Sequence, residues 1–267
     1  MSAKLSTVLA TCTSDGLPPA GWQATLVPLL RAFADEEPRI HELRPHGSAQ
    51  GNCVGLDRWS DLDVLLITPE PVSMAEALAE RIRSRCAPEF ASNRSGDWHH
   101  YTLRVVLRDL RRIDISAAVP PGHAATAPRD KAGPGKGGPM DELINDFRFD
   151  AVLASIKAAR DDVLIGGHLA LQLARHVLAA AMLLRDRDAG TTHHRFGGTK
   201  WDAWASVLGS APAPYTRRGT TAAIRYYTNA LADLTTAWDP GAQLDNGPLM
   251  TLLDAVDASS PSTARGA

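Results

Sequence analysis

The sequence predicts an α+β protein, a mixed sheet with helices followed by a helical bundle. Three observations predict it. Short β-prone runs at 39–44, 64–67, 101–107 and 110–119 all fall in the first part of the chain. A stretch rich in Gly, Pro, Ala and Lys at 120–139 has almost no apolar periodicity and reads as a linker or loop. From Met140 onward, apolar residues recur at helical spacing almost throughout. The expected organisation is therefore an α+β domain over 1–139, with 120–139 as its linker or loop, a helical domain over 140–258, and a patternless polar tail at 259–267.

With 267 residues there is room for two modest domains with real cores. Hydrophobic residues make up 44% and charged ones 22%, an ordinary globular balance. A net charge of −2 gives no electrostatic reason to expect bulk nucleic-acid binding. Cys12, Cys53 and Cys86 have no metal-ligand spacing, suit a reducing compartment, and are expected to be packing residues. No leader-like basic-then-apolar start and no membrane-spanning apolar run stand out, so the expectation is a cytoplasmic protein without a membrane partner, monomeric or homodimeric.

In chain order, 1–37 reads as two helices around a break at 15–19, the second carrying Leu26, Leu29, Leu30 and Phe33 on one face. A strand at 39–44 delivers Gly47 and Ser48. The apolar run Val64–Ile67 ends before Pro69 and forms a second strand. A helix over 74–85 is expected, with Ser73 as its N-cap and Glu76 completing a capping box. A polar turn at 92–97 precedes the strands at 101–107 and 110–119, joined tightly at Arg108-Asp109. The second half then offers helices at 141–159, 162–187 (ended by Asp188-Ala189-Gly190), 201–208, 220–237 and 247–256.

Chemistry concentrates between residues 46 and 67. On a strand, side chains two apart share a face, so Asp61 and Asp63 point the same way, with Cα atoms roughly 6.5 to 7 Å apart. Carboxylates, water and substrate phosphates are the usual environment of Mg²⁺. Just upstream, Gly47-Ser48 offers backbone N–H groups and a hydroxyl, the means of holding phosphate oxygens. A lone Asp-x-Asp is weak. Its force here comes from order: strand, Gly-Ser, short connection, Ser-Asp-x-Asp, apolar strand. Downstream, Asp114 sits within a β-prone run beside Ile113 and Ile115, facing the other way with Arg112 and Ser116. A carboxylate there needs a partner or a job, unless the strand is a wet edge. Asp109 is the second choice for a third acid, although a hairpin turn suits it.

These parts resemble the nucleotidyltransferase superfamily whose small bacterial members modify aminoglycoside and lincosamide antibiotics. Gly47, Ser48, Asp61 and Asp63 match its Gly-Ser and Asp-x-Asp, and Asp114 stands for the third carboxylate on a later strand. The resemblance covers 47–116. Beyond that it is architectural, a polymerase-beta-like palm followed by a helical domain that walls the acceptor side of a cleft. It implies an adenylyltransferase with ATP or another NTP as co-substrate. Two Mg²⁺ ions would be seated by Asp61, Asp63 and Asp114, and Ser48 would hold a β- or γ-phosphate. The acceptor would be a small hydroxylated molecule; a protein acceptor or a non-catalytic sensor are the alternatives. The family's acceptor-side base would fall on Asp161 or Asp162, which equally suit a helix cap. Asp141, Glu142 and Asp146 could meet a cationic acceptor. Lys200 and Arg195 could contact phosphate, although an interhelical loop around His193-His194 explains them as well. The pair Gly166-Gly167 inside a helix weakens it and invites close approach by something.

Overall fold

The computed structural model describes residues 12–49, 53, 55–124, 137–191 and 197–259. The expected first helix, most of the linker, the His193-His194-Arg195 loop and nearly all of the tail lie outside them. The chain divides into two compact units, Met1–Pro134 and Gly135–Ala267.

In the first unit a 3₁₀ turn, Trp22–Leu26, runs into helix α1, Val27–Glu36. Strand β1 is Glu42–Pro45 and β2 is Leu62–Ile67; α2, Pro71–Arg85, follows. Then come β3, Glu89–Gly96, β4, His100–Leu107, and β5, Arg112–Ala118. The sheet order is β1-β2-β5-β4-β3, with β2 and β5 parallel and the other neighbours antiparallel. This is the mixed sheet of an α+β fold. Strand alternation sends Leu62, Val64, Leu66, Ile113 and Ile115 to one face, where they share a core with Leu30 and Phe33 of α1 and Leu78 and Ile82 of α2. Fully burying each such side chain contributes roughly 1.5–3 kcal/mol. The opposite face carries Asp63, Asp114 and Ser116, which are less covered.

Three details differ from the sequence reading, and one alternative that it left open is closed. Helix α2 begins at Pro71, whose fixed φ suits the first helical position, so Ser73 lies inside the helix and is not its cap. Glu76 instead accepts hydrogen bonds from Arg94 Nε and the Tyr101 hydroxyl, both at 2.8 Å. The supposed polar turn at 92–97 is the end of β3, which pairs with β4 along its length despite a polar sequence. Such a strand at a sheet edge needs only a hydrogen-bonding neighbour, and Phe90 and Ala91 suffice to anchor it. Strand β5 is central, which removes the wet-edge explanation of Asp114. Of the cysteines, only Cys53 is buried; Cys86 is half-buried and Cys12 exposed.

The second unit is helical: α3, Pro139–Ala159; α4, Val163–Ala189; α5, Ala203–Leu208; α6, Arg217–Trp238; and α7, Gly247–Ala258. Its core joins Phe147 and Val152 of α3 to Leu173, Val177 and Leu184 of α4, with Ile224 and Leu231 of α6 and Leu249 and Leu253 of α7 also buried. Gly190, at φ 63°, ends α4 in the left-handed conformation glycine favours. By length and composition α4 could cross a membrane, contrary to the sequence expectation, yet its Ala170, Leu173, Val177, Ala181 and Leu184 are buried within this unit.

The close approach invited by Gly166-Gly167 comes from the chain itself. A Cβ on Gly166 would lie 3.3 Å from the Ala158 nitrogen of α3, and one on Gly167 would lie 2.8 Å from the Pro214 carbonyl oxygen. Replacing Gly167 by alanine should therefore lower Tm. Overpacking against backbone costs about 1–3 kcal/mol, whereas helix propensity returns about 1 kcal/mol. A thermal melt that moved upward would contradict the contact.

Candidate metal and phosphate site

The carboxylates come together because two strands run parallel in register. Asp63 of β2 lies beside Asp114 of β5, and both point to the face away from α1 and α2. Asp61 sits one residue ahead of β2 and joins them. One carboxylate oxygen from each lies within 4.8 Å of the others, and all three residues are half-buried. Asp109 stays apart, in the turn between β4 and β5, where Arg111 Nε donates to it at 2.8 Å.

Behind Asp63 lies the glycine turn. Gly47–Ala49 forms a short 3₁₀ turn, and the His46 N–H donates to the Asp63 carbonyl at 2.9 Å. Gly47 has φ 57°, and a Cβ there would stand 3.0 Å from Asp63 Oδ2. The left-handed conformation favours glycine, and a side chain there would press on the Asp63 carboxylate. Ser48 is exposed in the same turn. Gly47→Ala should cost about 1–2 kcal/mol from the left-handed backbone alone. It should also disturb the Asp63 carboxylate, so cation binding should weaken by more than the melting temperature alone accounts for. Calorimetric titration with Mn²⁺ beside a thermal melt checks this; unaltered Mn²⁺ affinity would sever the turn from the acids.

Three negative groups this close repel one another, and burial worsens it. The Asp114 carboxyl is pushed up to about 6, first by burial and then by Asp61, against the pull of Arg104 and Arg112. Asp63 is raised for the same two reasons, opposed by His46, Arg112 and Arg104. Two arginines stand at the cluster, of which the sequence reading named only Arg112, on the face of Asp114, and gave neither a role. Arg104 of β4 is the cross-strand partner of Asp114, its Nε 3.2 Å from Oδ2. Arg112 lies 3.6 Å from Asp61 Oδ2 and donates to the Trp59 carbonyl at 2.8 Å. Arg112 was legible on the face of Asp114 by alternation. Arg104 would have followed from counting back across the tight 108–111 connection.

Other residues singled out from the sequence belong to the second unit and have local partners there. Asp162 caps α4, accepting from the Ile165 N–H at 3.3 Å, and lies 3.4 Å from Lys157 Nζ. Asp161, at φ 57°, lies 3.7 Å from Arg217 Nη1. Asp141 accepts from the Gly138 N–H at 2.9 Å and so caps α3. Lys200 Nζ is 3.4 Å from Asp188 and 4.6 Å from the centre of the Trp201 ring. The donor set of the acid cluster, three hard carboxylate oxygens only partly offset by Arg104 and Arg112, fits Mg²⁺ or Mn²⁺.

No protein-family model and no curated protein matches the chain. Among solved structures it is similar to an aminoglycoside 6-adenyltransferase from Bacillus subtilis, at 9% identity and a TM-score of 0.30 over 89% of this chain and 99% of that one. It is also similar to a STING-associated CdnE c-di-GMP synthase from Capnocytophaga granulosa, at 8% identity and 0.25 over 84% and 85%. A third likeness is to the Bradyrhizobium diazoefficiens CD-NTase CdnG in complex with GTP, at 14% and 0.24 over 90% and 94%. Superpositions this loose transfer no chemistry.

Proposed function

We propose that the chain is a metal-dependent nucleotidyltransferase that moves a nucleoside monophosphate, AMP from ATP, to a hydroxyl of a small molecule and releases pyrophosphate. One observation carries the reading. Three half-buried carboxylates, two from the start of β2 and one from β5, converge so that an oxygen of each lies within 4.8 Å of the others, with a glycine turn against one of them. A cluster of like charges is destabilising unless a cation or a reaction justifies it.

Asp61, Asp63 and Asp114 are the residues that would hold two Mg²⁺ ions. Bound there, the ions supply neutralisation of the triphosphate and a lowered pKa for the attacking hydroxyl. The Ser48 hydroxyl and the N–H groups of its turn would orient a β- or γ-phosphate by hydrogen bonds. Gly47 lets that turn lie against Asp63 without a side chain in the way. The acceptor class, a small hydroxylated compound such as an aminoglycoside or lincosamide, follows from the resemblance of the Gly-Ser and Asp-x-Asp motifs.

Purified protein incubated with Mg²⁺, ATP and a panel of such compounds should release pyrophosphate with one of them, and the product should gain the mass of one AMP unit. A chelator should stop the release, and added Mg²⁺ should restore it. Pyrophosphate appearing only with a protein acceptor would replace the small-molecule reading. ATP binding without turnover under any condition would leave a nucleotide sensor and end the enzymatic one.

A further inference from the structure

The two arginines at the acid cluster differ in how firmly they are held. Arg112 is almost fully buried, its side chain 8% exposed, and its guanidinium is fixed by the Trp59 carbonyl as well as by its place near Asp61. Removing it would take a donor from the Trp59 carbonyl and a counter-charge from Asp61. Arg104 is 44% exposed and reaches Asp114 through Nε at 3.2 Å. An ion pair whose guanidinium end is this exposed is worth about 1 kcal/mol or less, so the arginine exchanges readily with water or with another cation. The cluster thus has three carboxylates, one permanent counter-charge and one removable one.

From this arrangement we propose that Arg104 is a positioning residue that occupies Asp114 as a placeholder cation and gives it up when a divalent ion binds. The inference deepens the proposed function and rests on the cation-binding role of the acids. Cross-strand pairing holds the Arg104 backbone directly opposite Asp114, so the guanidinium is always in reach. A divalent ion must compete with it for the Asp114 carboxylate. Arg104 therefore sets how much free cation is needed to load the site, while keeping the empty cluster from flying apart.

The test is Mn²⁺ titration by calorimetry without nucleotide, at low salt and near neutral pH. Arg104→Gln should raise Mn²⁺ affinity by roughly threefold to fivefold, as the loss of an exposed ion pair allows, and Arg104→Lys should stay close to the parent. In an Asp114→Asn background the Arg104→Gln gain should shrink, since their direct contact is gone and only the longer-range pull on Asp63 is left. The gain should shrink as salt is raised. Unchanged or weakened Mn²⁺ binding in a folded Arg104→Gln protein would overturn the placeholder role while leaving the acid site intact. Absence of Mn²⁺ binding in both parent and variant would sink the metal-site reading itself, and the placeholder role with it.

Discussion

Asp63→Asn should cut pyrophosphate release by about a thousandfold or more while leaving the protein folded. A thousandfold is about 4 kcal/mol of lost transition-state stabilisation, the scale expected if, as proposed, Asp63 would help to hold the cations that the reaction uses. The folded state should not suffer alongside. Burial and Asp61 already disfavour the ionised Asp63, so an uncharged side chain of the same shape relieves repulsion. The Tm of the variant, measured without metal, should equal or exceed that of the parent. A variant that lost activity by unfolding would show a lowered Tm and would not count as support. One that kept its turnover would remove Asp63 from the chemistry.

The second large effect concerns pH. The Asp114 carboxyl stands at about 6 in the fold against 3.8 as its ordinary value. A raised folded value means that the fold prefers the protonated acid. Its contribution to stability is therefore full below about 3.8 and lost as pH rises through about 6. The loss amounts to as much as about 3 kcal/mol for two pKa units. Denaturant midpoints of metal-free protein should fall across that window, and Asp114→Asn should flatten the curve. Added Mg²⁺ should restore the lost stability above pH 6 but not below it, because protons and the ion compete for the same oxygens. A stability curve that stayed level with pH in the parent would mean that burial and Asp61 do not raise the Asp114 carboxyl.

The parts of this site legible in the sequence were the local ones. Alternation along β2 and β5 placed Asp63 and Asp114 away from their apolar neighbours, and glycine before serine marked the turn at Gly47. Nothing local announced that β2 and β5 would be parallel neighbours, because that pairing joins segments about fifty residues apart and is decided by packing. For the same reason β5 could not be told from an edge strand. β3 escaped because its sequence, polar from Ser92 to Gly96, lacks the apolar alternation that marks half-buried strands. The Ser73 cap failed because Pro71 starts the helix earlier, at a position where its missing N–H costs nothing. In the second half the helices were plain from their period. The role of Gly166-Gly167 required knowing that α3 and the 214 carbonyl press against them.

The ladder that seats Asp114 next to Asp63 also guards against misassembly. Sliding β5 by a single residue against β2 would turn Asp114 inward among leucines and isoleucines and push both Ile113 and Ile115 outward. Either error is expensive, so a chain that has settled its hydrophobic interior has at the same stroke aligned its acids. The placing of the acid cluster is thus tied to the packing of the interior, and the apolar residues of β2 and β5 can change in size only so long as their in-out rhythm survives.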